Sequence, residues 1–369
     1  MPAVTLARLE KAPFPWFGGK TDAAPFVWTA LGDCDHYVEP FMGSLATLLL
    51  RPHKANRAYY SETVNDLDGL LCNAWRSIQL STDATAEAAS WPVCEADLHA
   101  RHVALVRWKA NQPLERLMGD PAFHDPVMAG WWIWGQSSWI GSGWCSGKGG
   151  WSGDADGIFR RQKGEPVVSR QLPHLGDDGR GVNHAGAREP GVTNEREFHP
   201  MTMPEVRRWF AFLSARLRHV RILNGDWKRA VTSGASKTLS VRMGDGVAGI
   251  FLDPPYSGEV RVKDLYAHDS NDVAAEVLAW CKKNGPDPKL RIVLAGFANE
   301  AHVELEREGW TAVEWFKSGF LKGGMANTAG DDDESGEVRH QQGLERLWLS
   351  PACLRPETAQ QCRLFGCSS

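Results

Sequence analysis

The chain has 369 residues, 43% of them apolar, and a formal net charge of −4. That is enough apolar material for a large core, in one main domain with an inserted or appended second unit. No run of about 18 apolar residues exists, which excludes a helical membrane span. The net charge argues against indiscriminate coating of phosphates, though a local basic face remains compatible with it.

Near the N-terminus stands Pro13-Phe14-Pro15-Trp16-Phe17-Gly18-Gly19-Lys20. Next, Tyr37-Val38-Glu39-Pro40-Phe41-Met42-Gly43-Ser44 reads as an apolar strand running into a turn, with an apolar helix start at Leu45 to Leu50. A third segment, Ala58 to Glu62, reads as a strand closed by an acid, with Asn65-Asp66 opening a helix. Strand, glycine turn, helix, then an acid closing the next strand is the nucleotide-binding logic of a doubly wound sheet. The glycine lets backbone approach the ligand, and the acid accepts from ribose hydroxyls.

From about residue 130 to 200 the chain changes character. Trp131, Trp132, Trp134, Trp139, Trp144 and Trp151 crowd together with little helical periodicity. Half of them are expected to fill a core; the others, with polar loop groups, are expected to touch a partner. Arg160, Arg161, Lys163 and Arg170 form one basic cluster. The stretch 171–198 is expected to order only with that partner present. A helix begins at the capping box Thr202-x-x-Glu205, with a buried stripe of Trp209, Phe210, Leu213 and Leu217. Its arginines (Arg207, Arg208, Arg216 and Arg218), with Arg221 beyond it, are expected to lie outside. Val220 to Leu223 reads as a further strand, followed by Asp226-Trp227.

The apolar run Val247 to Leu252 reads as a buried strand ending in Asp253-Pro254-Pro255-Tyr256. The prolines lack N–H groups, so this turn aims carbonyls at the site. The Asp253 side chain and the Pro254 carbonyl can both accept protons from one exocyclic amine, while Tyr256 offers a stacking face. Two acceptors and a flat platform suit methylation of adenine N6 or cytosine N4. Beyond it, 257–269, with Tyr266, reads as a loop closing over the site. Arg291 to Leu294 reads as a central strand and Leu344 to Leu349 as a late one.

These four segments, in this order, resemble the Dam-type DNA adenine-N6 methyltransferases, whose pattern is aromatic-Gly-Gly-Lys, Glu-Pro-Phe-x-Gly, a recognition region, then Asp-Pro-Pro-Tyr. The resemblance covers roughly the first eighty residues and 200 to 350. It implies an α/β fold with a doubly wound, mostly parallel seven-stranded sheet, Rossmann-like, whose late strand is antiparallel. It implies a discontinuous catalytic domain (1–80 and 200–350), a target-recognition region (81–199) inserted between the two sheet halves, and a C-terminal tail (351–369). S-adenosylmethionine is the implied cofactor, giving S-adenosylhomocysteine, with no metal.

By the same resemblance, Trp16, Gly18, Gly19 and Lys20 would contact the cofactor, and Glu39, Phe41 and Gly43 would shape its methionine pocket. Glu62 would take the ribose hydroxyls, and Asp226 with Trp227 the adenine end. Asp253 lies near both cofactor and target amine, beside Pro254, Pro255 and Tyr256. DNA contacts are expected from Trp144, Arg160, Arg161, Lys163 and Tyr266. Many relatives carry a second small residue after the first glycine of the turn; here Ser44-Leu45 follows. The family's recognition loop often has Arg-Tyr-Asn after a glycine; here Trp144-Cys145-Ser146 stands instead.

The expected partner is double-stranded DNA, bound by a monomer or weak dimer in the cytoplasm, with no signal-peptide pattern at the N-terminus. An N4-cytosine methyltransferase on the same scaffold and a non-catalytic DNA-binding protein stay open as alternatives. Other chemistries find no pattern. Gly147-Lys148 lacks the glycine and hydroxyl residue of a P-loop. No HExxH or GxSxG occurs, and the eight cysteines show no CxxC pair.

Overall fold

The structure, a computed structural model, describes residues 10–16, 18–52, 61–111, 120, 123–139, 144–145, 152–153, 159–160, 181–183, 202–232, 246–255, 271–297, 300–315 and 345–355. Tyr256, the segment 257–269 with Tyr266, Arg161, Lys163, Arg170 and Trp151 lie outside the described residues. So do most of 171–198 and of the 351–369 tail.

The main sheet has seven strands: β1 (His36–Glu39), β2 (Ser61–Asp66), β5 (Val220–Asn224), β6 (Ala248–Leu252), β7 (Leu290–Phe297), β8 (Thr311–Glu314) and β9 (Glu345–Leu349). Their order is β5-β2-β1-β6-β7-β9-β8. β5, β2, β1, β6 and β7 are mutually parallel, and β9 runs antiparallel to both β7 and β8. The mostly parallel sheet with an antiparallel late strand matches the expectation. Two residues each, β3 (Ser152–Gly153) and β4 (Phe159–Arg160), form a separate antiparallel pair.

Side chains alternate across the sheet with the two-residue period of a strand. On one face Leu290, Ile292 and Leu294 of β7 join Ala248, Ile250 and Leu252 of β6. There they meet Val277 and Cys281 of α8 (Asn271–Asn284) and Leu305 of α9 (Glu300–Arg307). On the other face Phe251, Val293 and Ala295 join the core built with α1 (Ala24–Leu31), α2 (Ala46–Leu49), α3 (Gly69–Leu80) and α7 (Met203–Leu217). Helices thus cover both faces, which is why the central strands read as continuous apolar runs.

The segment 81–199 enters the chain between β2 and β5, inside the first half of the sheet rather than between its halves. Its helices α4 (Thr82–Ala89), α5 (Glu95–Asn111) and α6 (Pro126–Ser138) share the core of the first face. Trp132, Ile133 and Trp134 of α6 are all buried, so the middle turn of this helix is buried on three successive sides. That explains why it shows no amphipathic period in sequence. Its start is fixed to α3 reciprocally: Asn73 Nδ2 donates to Asp125 O at 2.9 Å, and Asp125 N donates to Asn73 Oδ1 at 2.9 Å.

The capping box at Thr202 and Glu205 is present, and Trp209, Phe210, Leu213 and Leu217 are buried as the periodicity predicts. Short pieces of the 171–198 stretch and of the tail pack against the core. Val182 is buried, with its N–H on Pro13 O at 3.1 Å. Leu354 N donates to Ala30 O at 2.8 Å.

Candidate active site

β1 and β6 are neighbours from which the chain departs in opposite directions, β2 and β5 on one side and β7 on the other. In open α/β sheets ligands bind at such a switch point, outside the carboxyl ends of the strands. Those ends here are Glu39-Pro40 and Leu252-Asp253, flanked by Asp66 of β2 and Asp226 after β5.

Four hydrogen bonds tie these strand ends together. Asn65 is buried, and its Nδ2 donates to Pro40 O and to Gly225 O, both at 3.0 Å. Met42 N donates to Asn65 O at 2.9 Å, and Gly225 N to Asp66 O at 3.0 Å. One polar residue in β2 therefore fixes the turns after β1 and β5 relative to each other.

The turn after β1 is shaped by Gly43, whose φ is +42°. A Cβ there would lie 2.6 Å from Nε1 of Trp16, so the indole rests directly on the glycine. Leu45 follows in the left-handed conformation (φ 55°, ψ 23°) with its side chain fully buried. The Ser44-Leu45 departure thus retains a turn that a glycine would adopt without strain, at a cost of about 1–2 kcal/mol held by the anchored leucine. Phe41 stacks on Trp227, with centroids 6.0 Å apart. Trp227 is itself buried, with Trp280 at its edge, so it backs Phe41 rather than offering a free face. Asp226 is exposed, and its Oδ1 accepts from Lys228 N at 2.8 Å.

At the end of β6, Asp253 is one-fifth exposed while Pro254 is buried. Lys20 Nζ lies 2.9 Å from Asp253 Oδ2 and 3.1 Å from Glu345 Oε1, and donates to Gly18 O at 2.8 Å. Lys20, expected to touch the cofactor, is therefore engaged by protein groups. Burial pushes the Asp253 carboxyl up to about 6; the Lys20 charge opposes this and the Glu345 charge adds to it. Glu39 is buried, with the Tyr37 hydroxyl donating to its Oε2 at 3.1 Å. Burial holds its carboxyl well above the usual range, opposed by the Tyr37 hydrogen bond and reinforced by the Asp253 charge.

Glu62 requires correction. β2 starts at Ser61, so Glu62 stands at the amino end of the strand, remote from the switch point. It is 2% exposed, and both its oxygens are taken. Arg216 grips it with Nη1–Oε2 at 2.7 Å and Nη2–Oε1 at 2.8 Å, and Arg51 Nη1 adds a bond to Oε1 at 3.0 Å. Such a fork commits both oxygens of this buried carboxylate to protein cations. Arg216 is corrected with it: its side chain is 8% exposed, not outside the helix.

The acid that does close β2 at the site end is Asp66. Its Oδ2 accepts from Gly43 N at 3.2 Å and its Oδ1 from Asp68 N at 3.0 Å. Burial raises its carboxyl to about 6 against these backbone hydrogen bonds. Asn65-Asp66 ends the strand rather than opening a helix; Asp68 is the N-cap of α3, accepting from Leu70 N. Sequence reasoning missed Asp66, Asn65 and Glu345. The alternation signal that could have found Asp66 is obscured because β2 buries Glu62, Thr63 and Asn65.

Trp144 is a second correction. Its indole lies on Gly135, where a Cβ would come within 1.8 Å of the ring, and its Nε1 donates to Trp132 O at 3.2 Å. With Trp139 and His102 at 5.2 and 5.4 Å it is half-buried in an aromatic cluster, so part of its ring is taken up by packing. Arg160 is placed only through its backbone, opposite Ser152.

The seven-stranded order, the switch point and the acids at the strand ends define a Rossmann-like methyltransferase fold. Residues 16–92 match the family of D12 class N6 adenine-specific DNA methyltransferases, which are enzymes. This agrees with the Dam-type resemblance and spans the Trp16–Lys20 segment, the Gly43 turn and Asp66. No curated protein matches the chain. Among the described residues no helix is long and apolar enough to cross a membrane, and no group of acids, histidines or cysteines could hold a metal ion.

Proposed function

We propose that this protein transfers a methyl group from S-adenosylmethionine to N6 of an adenine flipped out of duplex DNA. The observation that carries the reading is the placement of Asp253 and Pro254 at the switch point, beside the Gly43 turn and Asp66. The residues suit this cofactor. Asp66 and Asp226 sit at the ends of adjacent strands, where carboxylates can accept from ribose hydroxyls and an adenine amine. Asp66 and Asp253 outnumber Lys20 locally, which favours a cationic sulfonium. Gly43 admits backbone where a Cβ would strike Trp16.

When bound, S-adenosylmethionine supplies an already activated methyl group. The chain's own residues then act on the amine. Its lone pair is delocalised into the ring, so the nitrogen is a weak nucleophile. Hydrogen bonds from its two protons to the Asp253 carboxylate and the Pro254 carbonyl draw the nitrogen toward a tetrahedral shape. Lys20, 2.9 Å from Asp253, holds that carboxylate ionised and fixed. Catalysis is then mainly positioning and placed dipoles. Extrusion of the base costs a few kcal/mol, offset by stacking in the site, for which Tyr256 is proposed. Arg161 and Lys163, with Arg160, are proposed to contact phosphates.

The test is expression in a methylation-free host, with the DNA sequenced by a method that reads modified bases. N6-methyladenine at a recurrent sequence supports the reading. N4-methylcytosine would shift the target to the alternative amine, and unmodified DNA despite cofactor binding by the purified protein would count against a transferase.

A further inference from the structure

We propose that Glu345 is a positioning residue for the transfer centre, holding Lys20 so that its ammonium fixes the orientation and charge of Asp253. This rests on the reading of Asp253 as an acceptor for the target amine. The topology explains how a residue so late in the chain reaches the site. β9 runs antiparallel to β7, so its first residue, Glu345, pairs with Phe297 at the carboxyl end of β7. A strand entering against the parallel set delivers its amino end where the others deliver their carboxyl ends.

The geometry is a three-point clamp. Lys20 meets the Gly18 carbonyl at 2.8 Å, Asp253 Oδ2 at 2.9 Å and Glu345 Oε1 at 3.1 Å. An ammonium has three donors in a roughly tetrahedral set, so its bonds to Gly18 and Glu345 restrict the directions in which it can meet Asp253. Glu345 is buried, as is Lys20, and a buried carboxylate needs this compensation. Glu345 also changes the charge of the centre. Lys20 with Asp253 alone is neutral; with Glu345 the trio carries −1. Among the described residues, the charged and titratable groups acting on Asp253 are Lys20 from the N-terminal segment, Glu345 from β9 and Glu39 from β1.

The two roles separate in two variants. Glu345→Gln keeps an oxygen for Lys20 but removes the negative charge that disfavours ionisation of Asp253. The acid limb of kcat/KM for DNA should move to lower pH, by about one unit, with kcat at pH 8 near the wild-type value. Glu345→Ala frees the ammonium to turn. It should lower kcat about tenfold through misplacement, while the calorimetric Kd for S-adenosylmethionine stays within about twofold; Glu345→Gln should restore kcat. Circular dichroism and urea unfolding establish that both variants fold, and Glu345→Gln carries the test alone if Glu345→Ala does not. Asp253→Asn is the control. If it abolishes transfer while both Glu345 variants match wild type in pH profile and kcat, this inference is overturned and the site reading stands. Near-normal transfer by Asp253→Asn overturns both.

Discussion

The backbone N–H of Gly43 donates to the carboxylate of Asp66 across 3.2 Å, joining the turn after β1 to the acid that ends β2. The bond couples the two parts of the proposed cofactor site. Burial raises the Asp66 carboxyl to about 6, and this bond, with the one from Asp68 N, opposes the rise.

Asp66→Asn is therefore predicted to change the pH dependence of stability. A carboxyl raised from about 3.9 to about 6 favours the native state when protonated, below pH 4, and that contribution is lost as pH rises through 6. The variant should compare with wild type more favourably at pH 7 than at pH 4.5, by about 2 kcal/mol. Its affinity for S-adenosylmethionine should fall about tenfold, the equivalent of one charge-assisted hydrogen bond. Urea unfolding at the two pH values and calorimetry check both parts. An unchanged pH dependence would remove Asp66 as a buried ionisable acid.

Glu62→Ala should act on stability instead. Removing it takes the carboxylate from the buried Arg216 guanidinium, a loss of about 3–5 kcal/mol. In the folded fraction, affinity for S-adenosylmethionine should match wild type. A stable variant with weak cofactor binding would return Glu62 to the ribose.

Gly43→Ala should weaken cofactor binding at least tenfold. The added Cβ meets Trp16 at 2.6 Å and the φ of +42° suits glycine. Trp16→Ala in the same chain should recover part of this, because it removes the contact and leaves only the backbone strain. A double-mutant cycle read by calorimetry gives the coupling; strict additivity would mean that the indole and the glycine act independently.

Trp144→Ala should destabilise the protein by about 3 kcal/mol, since it empties the space over Gly135 and orphans a carbonyl partner. Its DNA affinity should keep the wild-type dependence on salt. A loss of DNA binding at unchanged stability would restore Trp144 to the interface.

Much of the frame was legible. The apolar runs of β1, β6 and β7, the capping box at Thr202 and the turn signals Glu39-Pro40 and Asp253-Pro254 each carry a local physical reason. β2 was not legible, because Ser61-Glu62-Thr63-Val64-Asn65-Asp66 is polar by composition yet buried. Its Glu62 carboxylate and the Asn65 amide N–H groups find their partners in Arg216, Arg51, Pro40 and Gly225, from distant parts of the chain. Reading the strand four residues early made Glu62 the closing acid in place of Asp66. The arginine stripe of α7 failed at Arg216 for the same reason, since its partner lies on another element. α6 was hidden because apolar residues stand all round its middle turn, which leaves no polar face there to set a period. Glu345 had no local signal at all; only the antiparallel pairing of β9 with β7 brings it to Lys20.

The central claim is that Asp253 accepts from the target amine in the transition state. The most direct measurement is single-turnover transfer from S-adenosylmethionine to DNA by purified Asp253→Ala, with cofactor affinity measured on the same sample. Loss of one such placed acceptor is worth about 3 kcal/mol, so the rate should fall by roughly a hundredfold or more while the protein stays folded. A rate within a few fold of wild type would contradict the account and place the transfer centre elsewhere.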